Sequence, residues 1–280
     1  MRKKLALLLA GTMMATMVLA GCGGNDSSKD ADAKTEDTAK DAENGKTFTV
    51  GFDAEYPPYG YMDENGEYTG FDLELAEAVC ELEGWELVKK PINWDSKDME
   101  LNSGSIDCIW NGFTMNGRED DYTFSTPYVD NSQVIVVAEN SGIEKLEDLA
   151  GKTVGVQAAS AALQLLQTSE AEGGQKELAD TFGSLNEFAD YNTAFTELQA
   201  GALDALAIDI GVANYQLKSR GEGYTILSEE LNTEQYAIAF KKGNEELRDI
   251  IDADLKKLTE DGTVAKLAEK YDIADMVTLK

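Results

Sequence analysis

Apolar positions along this chain recur in two rhythms. Phe71, Leu75, Ala78, Val79 and Leu82 stand three and four residues apart, which predicts an amphipathic helix over 71–83 that stops at Gly84. Leu247, Ile250, Ile251, Leu255 and Leu258 repeat the pattern and predict a helix over 244–259, with another over 264–271 and a short one around 98–102. Between them lie short runs rich in β-branched and aromatic residues. Residues 47–52, 86–90, 105–109, 133–138, 205–208, 224–227 and 235–240 read as strands. Residues 59–62 and 67–69 flank Asn65-Gly66, a hairpin turn signal, and the acids beside it lack the spacing of a calcium loop. Strands alternating with helices predict an α/β chain whose sheets are mostly parallel and covered by helices.

Part of the pattern occurs twice. Gly45-Lys46-Thr47 leads into one strand and Gly151-Lys152-Thr153 into another. Leu101, Gly104 and Asp107 return as Leu198, Gly201 and Asp204, each time as helix end, glycine stop and strand. Two matches in the same order predict two lobes of similar topology, and about 230 residues after the N-terminal segment exceed one small core. The apolar runs 133–138 and 235–240 bracket the second lobe as its two crossing strands. The expected organisation is lobe 1 from 47–132 plus 238–280, with 133–237 inserted as lobe 2.

Ligands of open α/β sheets sit beyond the carboxyl ends of the strands. That rule selects Asp53 to Tyr56 and Asn111 to Arg118 from the first lobe, and Gln157 to Ala161 and Asp209 from the second. A cleft lined by both lobes follows. Arg118 ends a loop containing Gly112, Thr114 and Gly117; it suits a planar carboxylate, or it pairs with Glu119, Asp120 or Asp121 on the surface. Asp209 either caps the helix after it or faces an ammonium group. Tyr56 and Trp94 either pack or line the cleft.

Composition narrows the chemistry. The chain carries 53 acids against 24 bases, a net charge of −29, so nucleic acid is excluded as a partner. It has no histidine, which removes Ser-His-Asp and Cys-His catalysis. Three cysteines are too few for a Cys/His zinc site, and no metal or cofactor is expected. Residues 1–21 join Arg2, Lys3 and Lys4 to an apolar run too short for a membrane span, as an export signal does. Leu19-Ala20-Gly21-Cys22 resembles the lipobox of bacterial lipoproteins, implying palmitate-type lipidation of Cys22 and anchoring to the outer face of the cytoplasmic membrane. Residues 22–46 hold no large apolar side chain and read as a tether. Cys80 and Cys108 fall inside apolar elements and are expected as buried thiols, with a disulfide, open to an exported domain, as the alternative.

Several stretches together resemble the solute-binding lipoproteins of ABC importers for polar amino acids, which have the type II periplasmic binding fold. They are Asp53 to Tyr59, Gly66 to Asp72, Ser103 to Asp107, Gly112 to Arg118, Phe124 to Tyr128, and Gly201 to Asp204 with Asp209. The resemblance covers about residues 47–272. It implies that Arg118, with Gly112 and Thr114, holds a ligand α-carboxylate, that Asp209 holds the α-ammonium, and that Asn111 is among the ligand-binding residues. Tyr56 and Trp94 would sandwich the side chain, Asp53 would face its far end, and Gln157, Ser160 and Ala161 would add contacts. Two departures stand out. The loop before Arg118 is one residue short, and Ala161 stands where a hydroxyl is common. Glutamine, arginine or another basic amino acid, and cystine all fit an acid at the distal end. The implied protein is a non-enzymatic monomer that passes a free amino acid to a membrane permease; the rival is an exported dehydratase or lyase on the same fold, with Asp53 or Glu55 as acid.

Overall fold

Residues 45–280 are described by a computed structural model. The export signal over 1–21, Cys22 and nearly all of the tether lie outside the described residues.

The first strand, β1 (Thr47–Phe52), buries Phe48, Val50 and Phe52 completely. The chain then folds a small antiparallel sheet from β2 (Glu55–Tyr56), β3 (Gly60–Met62) and β4 (Tyr68–Thr69), turning at Asn65-Gly66 as expected. Helix α1 (Phe71–Glu83) lays Leu75, Ala76, Val79 and Cys80 on the core and ends where Gly84 adopts φ 67°, a conformation glycine takes without strain. Then come β5 (Glu86–Pro91), α2 (Lys97–Ser103), β6 (Cys108–Ile109) and β7 (Tyr122–Phe124). A long strand, β8 (Val129–Ala138), leads into β9 (Thr153–Gln157), α3 (Ala161–Gln167), α4 (Lys176–Ala179), β10 (Ser184–Phe188), α5 (Tyr191–Gln199), β11 (Ala205–Asp209), α6 (Ile210–Arg220) and β12 (Tyr224–Ile226). The chain returns through β13 (Asn232–Tyr236) and β14 (Ala239–Lys241) to α7 (Glu245–Glu260) and α8 (Thr263–Lys270).

Two sheets result, each the centre of one lobe. The first runs β5-β1-β6-β14-β7, parallel through β6 and antiparallel around β14. The second runs β10-β9-β11-β8-β12, with β13 also on β8; its first three strands are parallel and β8 is antiparallel to β11. The expected strand 235–240 is in fact two, one in each sheet. Ala237 and Ile238 leave the ladder, because Ala237 donates to the Phe113 carbonyl and Ile238 to the Ser125 hydroxyl.

The internal repeat has a physical basis. Asp107 accepts from the Thr49 N–H at 2.7 Å and donates its own N–H to the Thr49 carbonyl at 2.8 Å. Asp204 does the same to Thr153, at 2.8 and 2.9 Å. Each aspartate ties the return from a crossover helix to a parallel strand of its lobe, β1 or β9. The tie also explains why the expected strand 105–109 is short: residues 105–107 form this connection and only Cys108–Ile109 enters the ladder. Cys80 and Cys108 are buried and unbonded to each other. Each fully buried aliphatic side chain, such as Leu73, Val136 or Ile251, contributes about 1.5–3 kcal/mol. No helix among the described residues is long and apolar enough to cross a membrane.

Candidate binding site between the lobes

The four expected segments converge where the carboxyl ends of the parallel strands of the two sheets meet. Tyr56, Trp94, Gly112, Thr114, Arg118, Gln157, Ser160, Ala161 and Asp209, with Phe113, line one cavity. Only about 20 Å³ of it is wide enough for a water molecule's centre, so the lobes are drawn tightly together here.

Arg118 reaches this cavity in spite of its short loop. Residues Met115 to Arg118 close a turn through an Arg118 N–H to Met115 carbonyl bond of 3.0 Å, and Gly117 takes φ 76° at the position where such a turn requires it. Asn116 accepts from the Gln235 N–H at 2.7 Å, which pins the turn to β13. The guanidinium lies over the Phe113 ring at 4.8 Å and donates to the Thr114 carbonyl at 3.3 Å and to Gln164 of the other lobe at 3.1 Å. Burial lowers its pKa from the ordinary guanidinium value. Among the described residues no carboxylate lies within ion-pair distance of it, so pairing with Glu119, Asp120 or Asp121 is not the arrangement found.

Asp209 ends β11, is 3% exposed, and makes no side-chain cap on α6. Its Oδ1 accepts from Asn131 at 2.9 Å, Gln133 at 2.6 Å and the Tyr236 hydroxyl at 2.6 Å. Among the described residues its Oδ2 receives only the Tyr191 hydroxyl, at 3.4 Å. That second oxygen has capacity left for another donor.

Three expected contributors are already committed within the protein. The Gly112 N–H donates to buried Asp72 at 2.6 Å and is not free for a ligand carboxylate. Gly112 must nonetheless be glycine: its φ is 56°, and a Cβ there would stand 2.8 Å from the Tyr236 ring. The Thr114 hydroxyl gives its hydrogen to Glu234 at 2.7 Å. Asn111 is 1% exposed, lies behind the cavity, and spends its Oδ1 on the Asp53 N–H.

Asp53 also stands back from the cavity. It accepts from the Glu55 N–H at 2.9 Å and, across the cleft, from the Gln157 amide at 2.7 Å. Burial raises its pKa above the ordinary carboxylate value. Ser160 caps α3 by accepting from the Leu163 N–H at 3.1 Å, and Ala161 is the first residue of that helix. Tyr56 is buried with its hydroxyl 3.3 Å from that of Tyr236, whereas Trp94 is half-buried and packs edge-on against Phe113. Both line the cavity.

Sequence reasoning missed Asn131, Gln133, Tyr191, Glu234 and Tyr236. Strand register brings most of them together: Gln133 lies opposite Asp209 and Glu234 opposite Asn131. The Asn131 and Gln133 amides each donate to Asp209 Oδ1 and to Glu234 Oε1, so two buried carboxylates share two donors. Burial, then the charge on Asp209, raises the Glu234 pKa. The available signal was polar residues at alternate positions in strands otherwise suited to a core, since a buried polar side chain needs a partner.

The model of the bacterial extracellular solute-binding proteins, family 3, matches residues 48–273. An L-cystine-binding protein of Escherichia coli strain K12 is 30% identical over 98% of this chain and 99% of its own. An arginine-binding extracellular protein of Bacillus subtilis is 30% identical over 97% and 98%. Among solved structures, an ABC uptake transporter substrate-binding protein from Streptococcus pneumoniae with bound histidine superposes with a TM-score of 0.77 at 34% identity. That match covers 83% of this chain and 94% of the other.

Proposed function

Because the chain belongs to the bacterial extracellular solute-binding proteins of family 3, we propose that it captures a free polar L-amino acid between its lobes for an ABC importer. The carrying observation is the Arg118 guanidinium, half-buried in the cleft without a carboxylate partner among the described residues, on a cavity whose other charged lining residue is Asp209. A buried charge is tolerable when it is paired, and a zwitterion pairs both ends at once. Arg118 takes the α-carboxylate in bidentate fashion, with the Ala161 N–H beside it. Asp209 takes the α-ammonium on its Oδ2. Tyr56 and Trp94 flank the side chain, and Gln157, held by Asp53, meets its polar end; a basic or amide side chain displaces that amide to reach Asp53.

Arg118 comes from residues 47–132, which with 238–280 form lobe 1, and Asp209 from 133–237, which form lobe 2. Ligand bridging the two favours the closed state, already supported by Asp53 to Gln157 and Arg118 to Gln164. The protein is a monomer exported by its signal over 1–21, anchored through lipidated Cys22, and tethered by 22–46 so that it can present the amino acid to a membrane permease. Glutamine, arginine or another basic amino acid, and cystine are the candidates; the relatives bind cystine and arginine.

The test is mass spectrometry of whatever purified protein releases on denaturation, followed by calorimetry with the twenty amino acids and cystine. Stoichiometric retention of one of them is expected. Failure of every one to bind would sink the proposal, and turnover of the bound compound would make it an enzyme instead.

A further inference from the structure

Two acids meet at the Asp209 end of the cavity without a base between them. Asp209 is 3% exposed and Glu234 5%, and among the described residues neither has a lysine or arginine within ion-pair distance. Glu234 Oε1 takes three hydrogens, from the Thr114 hydroxyl at 2.7 Å and from the Asn131 and Gln133 amides at 2.8 Å each. The same two amides donate to Asp209 Oδ1, so the carboxylates are held close across shared donors. Among the described residues Glu234 Oε2 receives only the Asn232 amide, at 3.3 Å, and is the oxygen left for a proton. Glu234 also lines two cavities beside β13, whose walls include the exposed Glu172 and Asp130, so a proton can leave to solvent. Neutral donors spread these charges but do not cancel them, and two buried carboxylates this close keep a proton until a cation arrives. Burial, then the charge on Asp209, raises the Glu234 pKa above its ordinary 4.5. The tyrosines facing it, Tyr59, Tyr191 and Tyr236, are buried and pushed well above the ordinary 10, so they stay neutral, while Arg118 stays charged. Asp275, on the rim of one flanking cavity, is exposed like Asp130 and Glu172.

We propose that Glu234 is the second counter-charge of the ammonium seat, and that at mildly acid pH capture of an amino acid expels a proton from it. In the ligand-free protein Glu234 is then a neutral acid beside an ionised Asp209. The α-ammonium arrives on Asp209 Oδ2 and keeps its own three protons. Its charge lowers the cost of ionising Glu234, whose Oε2–H bond breaks; the proton goes to the buffer and the electron pair stays on the carboxylate. The carboxyl of the ligand-free protein therefore titrates above that of the complex. Below the ligand-free value each unit fall in pH weakens binding by up to about tenfold, and above it binding is level. The inference rests on the amino-acid-binding reading of the cavity.

The test is calorimetry on the whole protein with L-glutamine, L-arginine and L-cystine, none of which changes protonation between about pH 5 and 6.5. Each pH is run in buffers of different ionisation heat, so that the heat counts the protons released. Wild type should release up to one proton per ligand bound, with Kd rising as pH falls. Glu234→Gln, whose amide oxygen can keep the three bonds made to Oε1, should release none and lose the slope. Carbon-13 NMR of the glutamate carboxyls reads the same step without a variant: in wild type one should titrate above the ordinary range and move down when ligand is added. A slope and proton release retained in Glu234→Gln would assign the proton to Asp53 or Asp209, and the inference fails. Binding by wild type with no proton released and no slope overturns it too, and leaves the amino-acid-binding reading standing. Only a wild type that binds none of the three, nor any other amino acid, loses both.

Discussion

Replacing Arg118 by alanine removes a half-buried cation whose partners among the described residues are neutral, Gln164 and the Thr114 carbonyl. In the unliganded protein little stability should be lost. The two hydrogen bonds are modest, at about 1 kcal/mol each at most, and relief from partial desolvation of an unpaired charge offsets part of them. With ligand bound the balance differs. Two charge-assisted bonds of about 1.5–3 kcal/mol each vanish, and a carboxylate is left buried without a cation, so the cost is about 3–5 kcal/mol. At 1.4 kcal/mol per tenfold, the dissociation constant should rise by about two to three and a half orders of magnitude. Calorimetry measures that loss directly. Thermal melting gives the control: ligand at a hundredfold excess over Kd stabilises by about 2.7 kcal/mol, and the variant should lose this shift while its unliganded Tm stays near wild type. An unchanged Kd would refute the reasoning, and so would an unliganded variant that unfolds.

Asp209→Asn should keep the fold, because its oxygen still accepts from Asn131 and Gln133, yet weaken binding by about 1.5–3 kcal/mol; calorimetry with native gel mobility checks both halves. Gly112→Ala forces a methyl to 2.8 Å from Tyr236 at a positive φ and should cost about 1–3 kcal/mol of stability, read by urea unfolding. Asp72 is buried and its pKa is raised from 3.8 to about 7, mainly by desolvation. A folded pKa above the unfolded one means that its contribution is fully present below pH 3.8 and is lost as pH rises through 7. Asp72→Asn, which can still accept from Gly112 and Tyr128, should therefore raise Tm above pH 7 and flatten the dependence between pH 4 and 7. A variant less stable than wild type at pH 8 would show that the charge itself is needed.

Periodicity made much of the architecture legible. Helix α1 occupies the expected residues and its glycine stop is where the pattern ends. The repeated aspartates Asp107 and Asp204 perform the same bond in each lobe. No element was read in residues 162–197. Helices α3 and α4 have two turns and one turn, too few for a repeat to stand out, and β10 is an edge strand without a strong alternation; Tyr191, Ala194, Phe195 and Leu198 of α5 do stand at helical spacing, a signal that went unread.

The sequence by itself determined an α/β chain with two related halves and the strand ends at which ligand groups gather, because side-chain periodicity is local. It also placed Arg118 and Asp209 among the candidates. Which of their alternative partners they take was decided only by tertiary structure. Arg118 turns inward because the Met115–Arg118 turn is pinned to β13, which arrives from more than a hundred residues later. Gly112 and Thr114 are spent on Asp72 and Glu234 for the same reason: their partners lie 40 and 120 residues away. Hydrogen bonds between distant residues leave no period in the chain. The paired carboxylates Asp209 and Glu234 exist as a feature only once the strands are in register.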